Sequence, residues 1–448
     1  MYIRTLFLLL ILSCSCTFIQ ERYPTLPPGP YRAVLKLENN PIVPNPKGQP
    51  TEENMNLEFE EVTRGELPFT FEVNYVDEER VSIDIYNGEE LIQIPAEHIQ
   101  YGRDLEQGRD TLRIDFPVYD THISAYHEEN VIEGVWVVHY RDNYRIPFVA
   151  RFGQNHRFTQ LNKPPAADLS GRWSLLFEAG TTDEYPGLAE LSQEGNELRG
   201  TIRTETGDYR YLAGTVQDNK AYLSVFDGAH AFLFEALIKA DGSLNGTFRS
   251  GRHYIADWTG NRATDDFELA DPDSLTQLVE GVPLNFSFST PAGVPVSLAD
   301  EAFEGKVKLV QIFGTWCPNC RDETNFLKDF MATYERADEL AIIGLAFERY
   351  GAEDERSKAA LERYATNLDI PWPLLLAGGY NKVEAAAALP MLNQVISYPT
   401  LLFLDRSNRV RRIHTGFNGP ATSAYEDFTR SFHKSIDELV GEDSDLNQ

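Results

Sequence analysis

The chain has 448 residues, room for about three domains at roughly 100–200 residues each. Its 69 acidic residues outnumber 40 basic ones, and the net charge of −29 excludes a nucleic-acid binder, which needs a basic face. Hydrophobic residues at 42% and aromatics at 12% exclude wholesale disorder, and four cysteines are too few for a disulfide-stapled scaffold.

The first element is a leader. Arg4, the apolar run Leu6 to Leu12 and the small residues after it make a secretory signal peptide. That run is too short to span a bilayer. The ending Ile11-Leu12-Ser13-Cys14 resembles a bacterial lipobox. The resemblance implies that Cys14 is lipidated, with a lipoprotein signal at 1–16 and a proline-bearing tether at 17–29. A plain cleaved signal with incidental cysteines is the alternative. With Cys14 taken by lipid and Cys16 in the tether, the folded part keeps only Cys317 and Cys320.

Residues 30–262 read as β throughout, with short alternating or β-branched runs between turn residues. Tyr31 to Leu37, Phe69 to Tyr75, Val81 to Tyr86 and Thr111 to Phe116 are examples. Two halves are expected, 30–163 and 167–262, joined across Asn162 to Asp168. They echo each other: Gly29-Pro30-Tyr31 matches Gly171-Arg172-Trp173, and Gly134-Val135-Trp136 matches Gly246-Thr247-Phe248. One or two sandwich or barrel modules follow from this pattern. Their aromatics, among them Trp173, Tyr209, Tyr211, Phe232, Phe234 and Trp258, read as core. His230 and His253, with Asp227 and Asp257, read as turn and edge hydrogen-bonders, or as the lining of a small polar site.

Residues 263–281 are acidic and irregular, a linker. From 282 to 440 strands alternate with helices, which predicts an α/β sheet covered by helices. Val307 to Phe313 is a buried strand, Leu340 to Ala346 the next, and Thr400 to Leu404 with Val410 to His414 a hairpin. Helices are expected from the cysteine pair onward, over 357–368, 385–392 and 425–439, with a frayed acidic tail at 441–448. The overall expectation is multi-domain: an all-β N-terminal region followed by an α/β unit.

The chemistry concentrates at Trp316-Cys317-Pro318-Asn319-Cys320, where a strand leads in and a helix leaves. Cys317 at the helix start meets free N–H groups and the positive end of the dipole, which favour a thiolate. The thiolate is the attacking species, and Cys320, one turn on, resolves the mixed disulfide. Pro318 suits the first turn, and Trp316 shields the sulfurs. Pro399 in Ser397-Tyr398-Pro399-Thr400 is the place for a cis peptide, leaving Tyr398 main chain to pair with an extended substrate segment. Glu323 shares the Cys320 helix face and can move its proton, the alternative being a solvated helix glutamate. Gln311 is polar within an apolar strand and needs a partner. No second Cys or His pair supplies four zinc ligands, so no metal is expected.

These residues, together with the opening Val282 to Phe288, resemble the TlpA/ResA-like thioredoxin family of extracytoplasmic thiol–disulfide oxidoreductases. The resemblance covers about 282–440, a third of the chain, and leaves the β modules outside it. It implies a thioredoxin fold with an inserted strand–helix unit and dithiol–disulfide exchange with no cofactor beyond the cysteine pair. Gln311 stands where thioredoxins hold an aspartate, a departure that bears on proton handling. The expected activity is reduction of protein or small-molecule disulfides, fed by an upstream thiol donor. The expected location is the bacterial cell envelope, lipid-anchored at the outer membrane and facing the periplasm. Two rivals remain. One is a binding or assembly lipoprotein that uses the α/β unit for docking. The other is a thiol peroxidase, whose pattern has a threonine where Gly314 stands.

Overall fold

The computed structural model describes residues 26–38 and 62–442. The leader with Cys14, the tether through residue 25 and the tail from 443 lie outside the described residues.

The first β unit has nine antiparallel strands. They are β1 (Gly29–Lys36), β2 (Glu66–Tyr75), β3 (Val81–Asn87), β4 (Glu90–Ile94), β5 (Ile99–Asp104), β6 (Arg109–Phe116), β7 (Thr121–Glu128), β8 (Val131–Val138) and β9 (Arg145–Phe152). Strand order is β4-β3-β2-β1-β9-β8-β7-β6-β5, so β1 pairs with both β2 and β9 and the sheet curls on itself. Only β4 and β5 are left unpaired to each other, and the turn Ala96–His98 joins them. Alternation drives the curl. Phe69, Phe71 and Val73 on β2 point into the same core as Leu112 and Ile114 on the distant β6.

The second β unit is a closed barrel. Its strands are β10 (Gly171–Phe177), β11 (Tyr185–Glu194), β12 (Glu197–Thr204), β13 (Gly207–Asp208), β14 (Leu212–Gln217), β15 (Lys220–Phe226), β16 (Ala231–Ile238), β17 (Leu244–Ser250) and β18 (Tyr254–Arg262). β10 pairs with β11 and β18, and β11 pairs with β12, which closes the ring. The two-residue β13 turns back on β12 as a small hairpin projecting from the barrel.

The paired glycines seen in the sequence fall on equivalent strands. Gly29 and Gly171 open the first strand of each ring with φ of 120° and 105°. Gly134 and Gly246 lie in the penultimate strands, where an added Cβ would meet the neighbouring strand's main chain at 2.1 and 2.4 Å. The barrels are not independent. Phe226 of β15 enters the first core, 4.5 Å from Phe69 and edge-on to Trp136 at 5.2 Å.

The third unit is a seven-stranded sheet in the order β20-β19-β23-β22-β21-β24-β25. The strands are β19 (Ser287–Ser289), β20 (Pro295–Ser297), β21 (Val307–Phe313), β22 (Leu340–Glu348), β23 (Leu374–Gly379), β24 (Thr400–Leu404) and β25 (Val410–Thr415). β21, β22 and β23 run parallel, while β24 and β25 are antiparallel additions. Four helices accompany them: α1 (Pro318–Thr333), α2 (Glu355–Asn367), α3 (Lys382–Ala388) and α4 (Ala424–Gly441). β21 is buried on both faces. Leu309 and Phe313 pack with α1, α2 and α4, and Val310 and Ile312 pack with Ala385 of α3 on the other side.

Two expectations need correction. The helix expected over 385–392 runs from Lys382 to Ala388, because Asn381 caps it by accepting from Val383 N at 2.8 Å. The structure adds β23, a strand the sequence pattern does not predict, since a short apolar run ending in two glycines carries no period of its own. The acidic 263–281 segment is also less loose than its composition implies. Asp273 bonds Arg412 Nε at 2.8 Å and His414 Nδ1 at 2.7 Å, fastening it to β25.

Candidate active site

The site forms where β21 ends and α1 begins. Cys317 is the α1 N-cap and Pro318 fills the first turn, where its missing N–H costs nothing. Cys317 and Cys320 are joined as a disulfide with Cα atoms 5.3 Å apart. Cys320 N donates to Cys317 Sγ at 3.2 Å, so the attacking sulfur already receives a helix N–H. Cys320 is fully buried, and Cys317 is 7% exposed.

Tyr398–Pro399 is a cis peptide, and Tyr398 O lies 3.3 Å from Cys317 Sγ. Pro399 O accepts from Gly416 N at 2.9 Å, which ties the proline loop to the loop after β25. Trp316 leans away from the helix. Its Nε1 donates to Phe347 O at 3.0 Å, and its ring meets Tyr398 at 5.5 Å and Tyr380 at 5.8 Å. Gly314 makes this possible: a Cβ there would lie 2.4 Å from Trp316 Nε1. The residue that departs from the peroxidase pattern is thus the one Trp316 requires.

Below the disulfide lies a sealed polar cluster. Gln311 donates to Glu323 Oε2 at 2.9 Å, and Thr324 Oγ1 donates to Gln311 Oε1 at 3.1 Å and meets Tyr364 OH at 3.0 Å. Glu323 is fully buried, with Oε1 lacking a partner among the described residues. Burial pushes its carboxyl up to about 8, the Gln311 bond pulling the other way. Gln311 and Glu323, read separately in the sequence, are therefore one unit.

Sequence reasoning missed a second buried carboxylate. Glu348, the last residue of β22, accepts from Thr315 N at 3.0 Å and Thr315 Oγ1 at 2.8 Å. Burial raises its carboxyl to about 7, against those two bonds. The available signal was an acid directly after the apolar strand Leu340 to Phe347.

The β12–β13 hairpin covers the redox face. Asn319 Nδ2 donates to Asp208 O at 3.2 Å and Phe417 O at 3.4 Å, Ser397 Oγ to Thr206 O at 2.8 Å, and Gly419 N to Asp208 Oδ2 at 2.7 Å. Behind it Arg210, 5% exposed, pairs with Glu90 at 2.5 Å, Asp227 at 3.2 Å and Asp322 of α1 at 2.5 Å. Of the histidines and acids read as one polar site, His230 and His253 share a cavity and Asp227 stands behind His230. Asp257 is elsewhere, accepting from Thr247 Oγ1 at 3.2 Å. The loop Gly416 to Pro420 lies at the redox edge, where Phe417 O accepts from Asn319 and Gly419 N donates to Asp208 of the barrel.

A parallel sheet core, a disulfide at a helix start and a facing proline loop define a thioredoxin-like unit. The family pattern described as Redoxin matches residues 280–428. The thioredoxin-like protein YneN of Bacillus subtilis (strain 168) is 30% identical over 132 residues, spanning 30% of this chain and 68% of YneN. The chain belongs to the thioredoxin-like family, with a large β region ahead of the family domain. Solved structures similar to it include a DsbF homologue from Corynebacterium diphtheriae, at 21% identity over 39% of this chain and 99% of that one, TM-score 0.28. Another is a secreted thiol-disulfide isomerase from Corynebacterium glutamicum, at 17% identity over 38% and 98%, TM-score 0.29. A third is a thiol:disulfide interchange protein from Chlorobium tepidum TLS, at 23% identity over 36% and 100%, TM-score 0.25.

Proposed function

We propose that the protein is a disulfide reductase working outside the cytoplasm, anchored to the cell envelope through a lipid on Cys14. The observation that carries the redox reading is the Cys317–Cys320 disulfide at the α1 N-terminus, with Cys320 N aimed at Cys317 Sγ. In the reduced state the Cys317 thiolate attacks one sulfur of a substrate disulfide. A mixed disulfide forms and one thiolate leaves, to be protonated. Cys320 loses its proton to Glu323 and attacks Cys317 Sγ, closing the internal disulfide and releasing the second thiol. Two electrons pass from the dithiol to the substrate. Trp316, Pro318, Tyr398 and Pro399 surround the attacked sulfur, and no cofactor enters. An upstream thiol donor then restores the dithiol.

The test is a redox titration of the full chain in a dithiothreitol buffer, read by trapping free thiols. A potential near the roughly −270 mV of thioredoxin fits a reductase, and one near roughly −120 mV would reverse the electron flow. In the same preparation Cys317→Ser should abolish disulfide reduction, while Cys320→Ser should accumulate the mixed disulfide. Activity surviving Cys317→Ser removes it as the nucleophile. Incorporation of labelled fatty acid, lost in Cys14→Ala, checks the anchor.

A further inference from the structure

A cavity of about 380 Å³ opens where both β units meet the thioredoxin-like unit, a volume suited to a small ligand. Trp316, the residue before Cys317, forms part of its wall, as do Tyr144, His230 and His253. Its charge comes from Arg141 of the first β unit and Arg349, which follows β22. Arg349 is held between two rings, 4.2 Å from the Trp316 centroid and 4.3 Å from that of Tyr380, while Arg141 lies over Tyr144 at 5.6 Å. Among the described residues neither arginine is ion-paired, and no carboxylate lines the cavity, in a chain of net charge −29. Asp227 sits behind His230, holding its backbone N at 2.6 Å and its ring at 3.3 Å. His253 is exposed at the surface, yet desolvation of its ring and the nearby Arg141 and Arg349 lower its pKa to about 3, so it is neutral at physiological pH. Two guanidiniums without an ion-pair partner among the described residues, that of Arg349 desolvated and held against two rings, select an anion.

The other approach to the sulfurs is occupied. The β12–β13 hairpin fills the face against Asn319, Ser397 and Gly419, where an extended protein segment would lie. We propose that the cavity seats the carboxylate arm of a small disulfide, which reaches Cys317 past the edge of Trp316. The substrate class of the docked enzyme is then a low-molecular-weight, carboxylate-bearing disulfide, reduced to two thiols by the two electrons of the Cys317–Cys320 dithiol. This rests on the reductase reading above.

The test uses the full chain, pre-reduced with dithiothreitol and desalted, in single turnover against two disulfides of matched length. One is dithiodipropionate, a dianion, and the other is the uncharged hydroxyethyl disulfide. The readout is the ratio of their second-order rate constants. Arg141→Ala should lower that ratio about tenfold, the effect of losing a charge-assisted hydrogen bond of about 1.4 kcal/mol. Arg141→Lys, which keeps charge without the fork, should recover part of it. A ratio within about threefold of wild type in Arg141→Ala overturns the proposal while leaving the reductase reading intact, because the uncharged disulfide still reports the dithiol. Failure of both disulfides to oxidise the wild-type pair overturns both.

Discussion

Glu323 lies one turn beyond Cys320 on α1 with its carboxylate sealed from solvent, and among the described residues its hydrogen-bond donor is Gln311. A free carboxyl titrates near about 4.3, so a value of about 8 means the folded chain holds a proton that the unfolded chain has already lost. The contribution to stability is therefore complete below about pH 4.3 and is lost as pH rises through about 8. Glu323→Gln keeps the amide contact and removes the charge. Its thermal midpoint should fall less than that of wild type between about pH 5 and 8, by calorimetry at both values. The same substitution should slow closure of the mixed disulfide roughly 100-fold, the scale of lost general-base help. The pH–rate limb near about 8 should vanish with it, read by rapid acid quench. A limb that persists in Glu323→Gln assigns the titration elsewhere, Glu348 at about 7 being the other buried acid beside the motif.

The β12–β13 hairpin turns on Gly207, whose φ of 134° and close approach leave no room for a side chain. A Cβ there would fall 2.5 Å from Asn319 Nδ2 and 3.2 Å from Phe417 O. Gly207→Val should push the hairpin off the redox face while leaving the barrel ladder, which β12 closes through β11 and β14, in place. The expected outcome is faster alkylation of the reduced Cys317 thiol, about tenfold, with unchanged far-ultraviolet circular dichroism. Equal alkylation rates would show that the hairpin does not limit access. Nothing local in Glu205-Thr206-Gly207-Asp208 announces this contact, because its partners lie 111 or more residues further on in the chain. That is the general limit of the sequence here. The strand runs, the dithiol, Pro399 and the Gln311–Glu323 problem were legible, since each depends on neighbours within a turn or on a spacing. The pairing of β1 with β9, the placement of Glu348 under Thr315 and the arginine cavity depend on strands far apart in sequence, which periodicity cannot pair.

Arg210 ties the whole molecule together. It belongs to the second β unit, yet its guanidinium reaches Glu90 of the first and Asp322 of α1 as well as its own barrel's Asp227. Burial works against its charge, but Asp322, Glu90 and Asp227 together hold its pKa well above the ordinary value, so it stays a cation throughout. Removing it strands carboxylates in a closed junction, a loss of about 3–5 kcal/mol for a broken buried pair. Arg210→Met should therefore separate the thioredoxin-like unit from the barrels more than it harms either. In calorimetry of the full chain the variant should show a distinct transition at lower temperature, with cleavage by a protease appearing in the 263–281 segment. Arg210→Lys should fall close to Arg210→Met, because one ammonium cannot satisfy three carboxylates in a fixed fork geometry. Raised salt should leave the wild-type trace nearly unchanged, since buried pairs are screened far less than exposed ones. A single transition at the wild-type temperature in Arg210→Met would mean that apolar contacts such as Phe226 against Phe69 hold the assembly without the ion network.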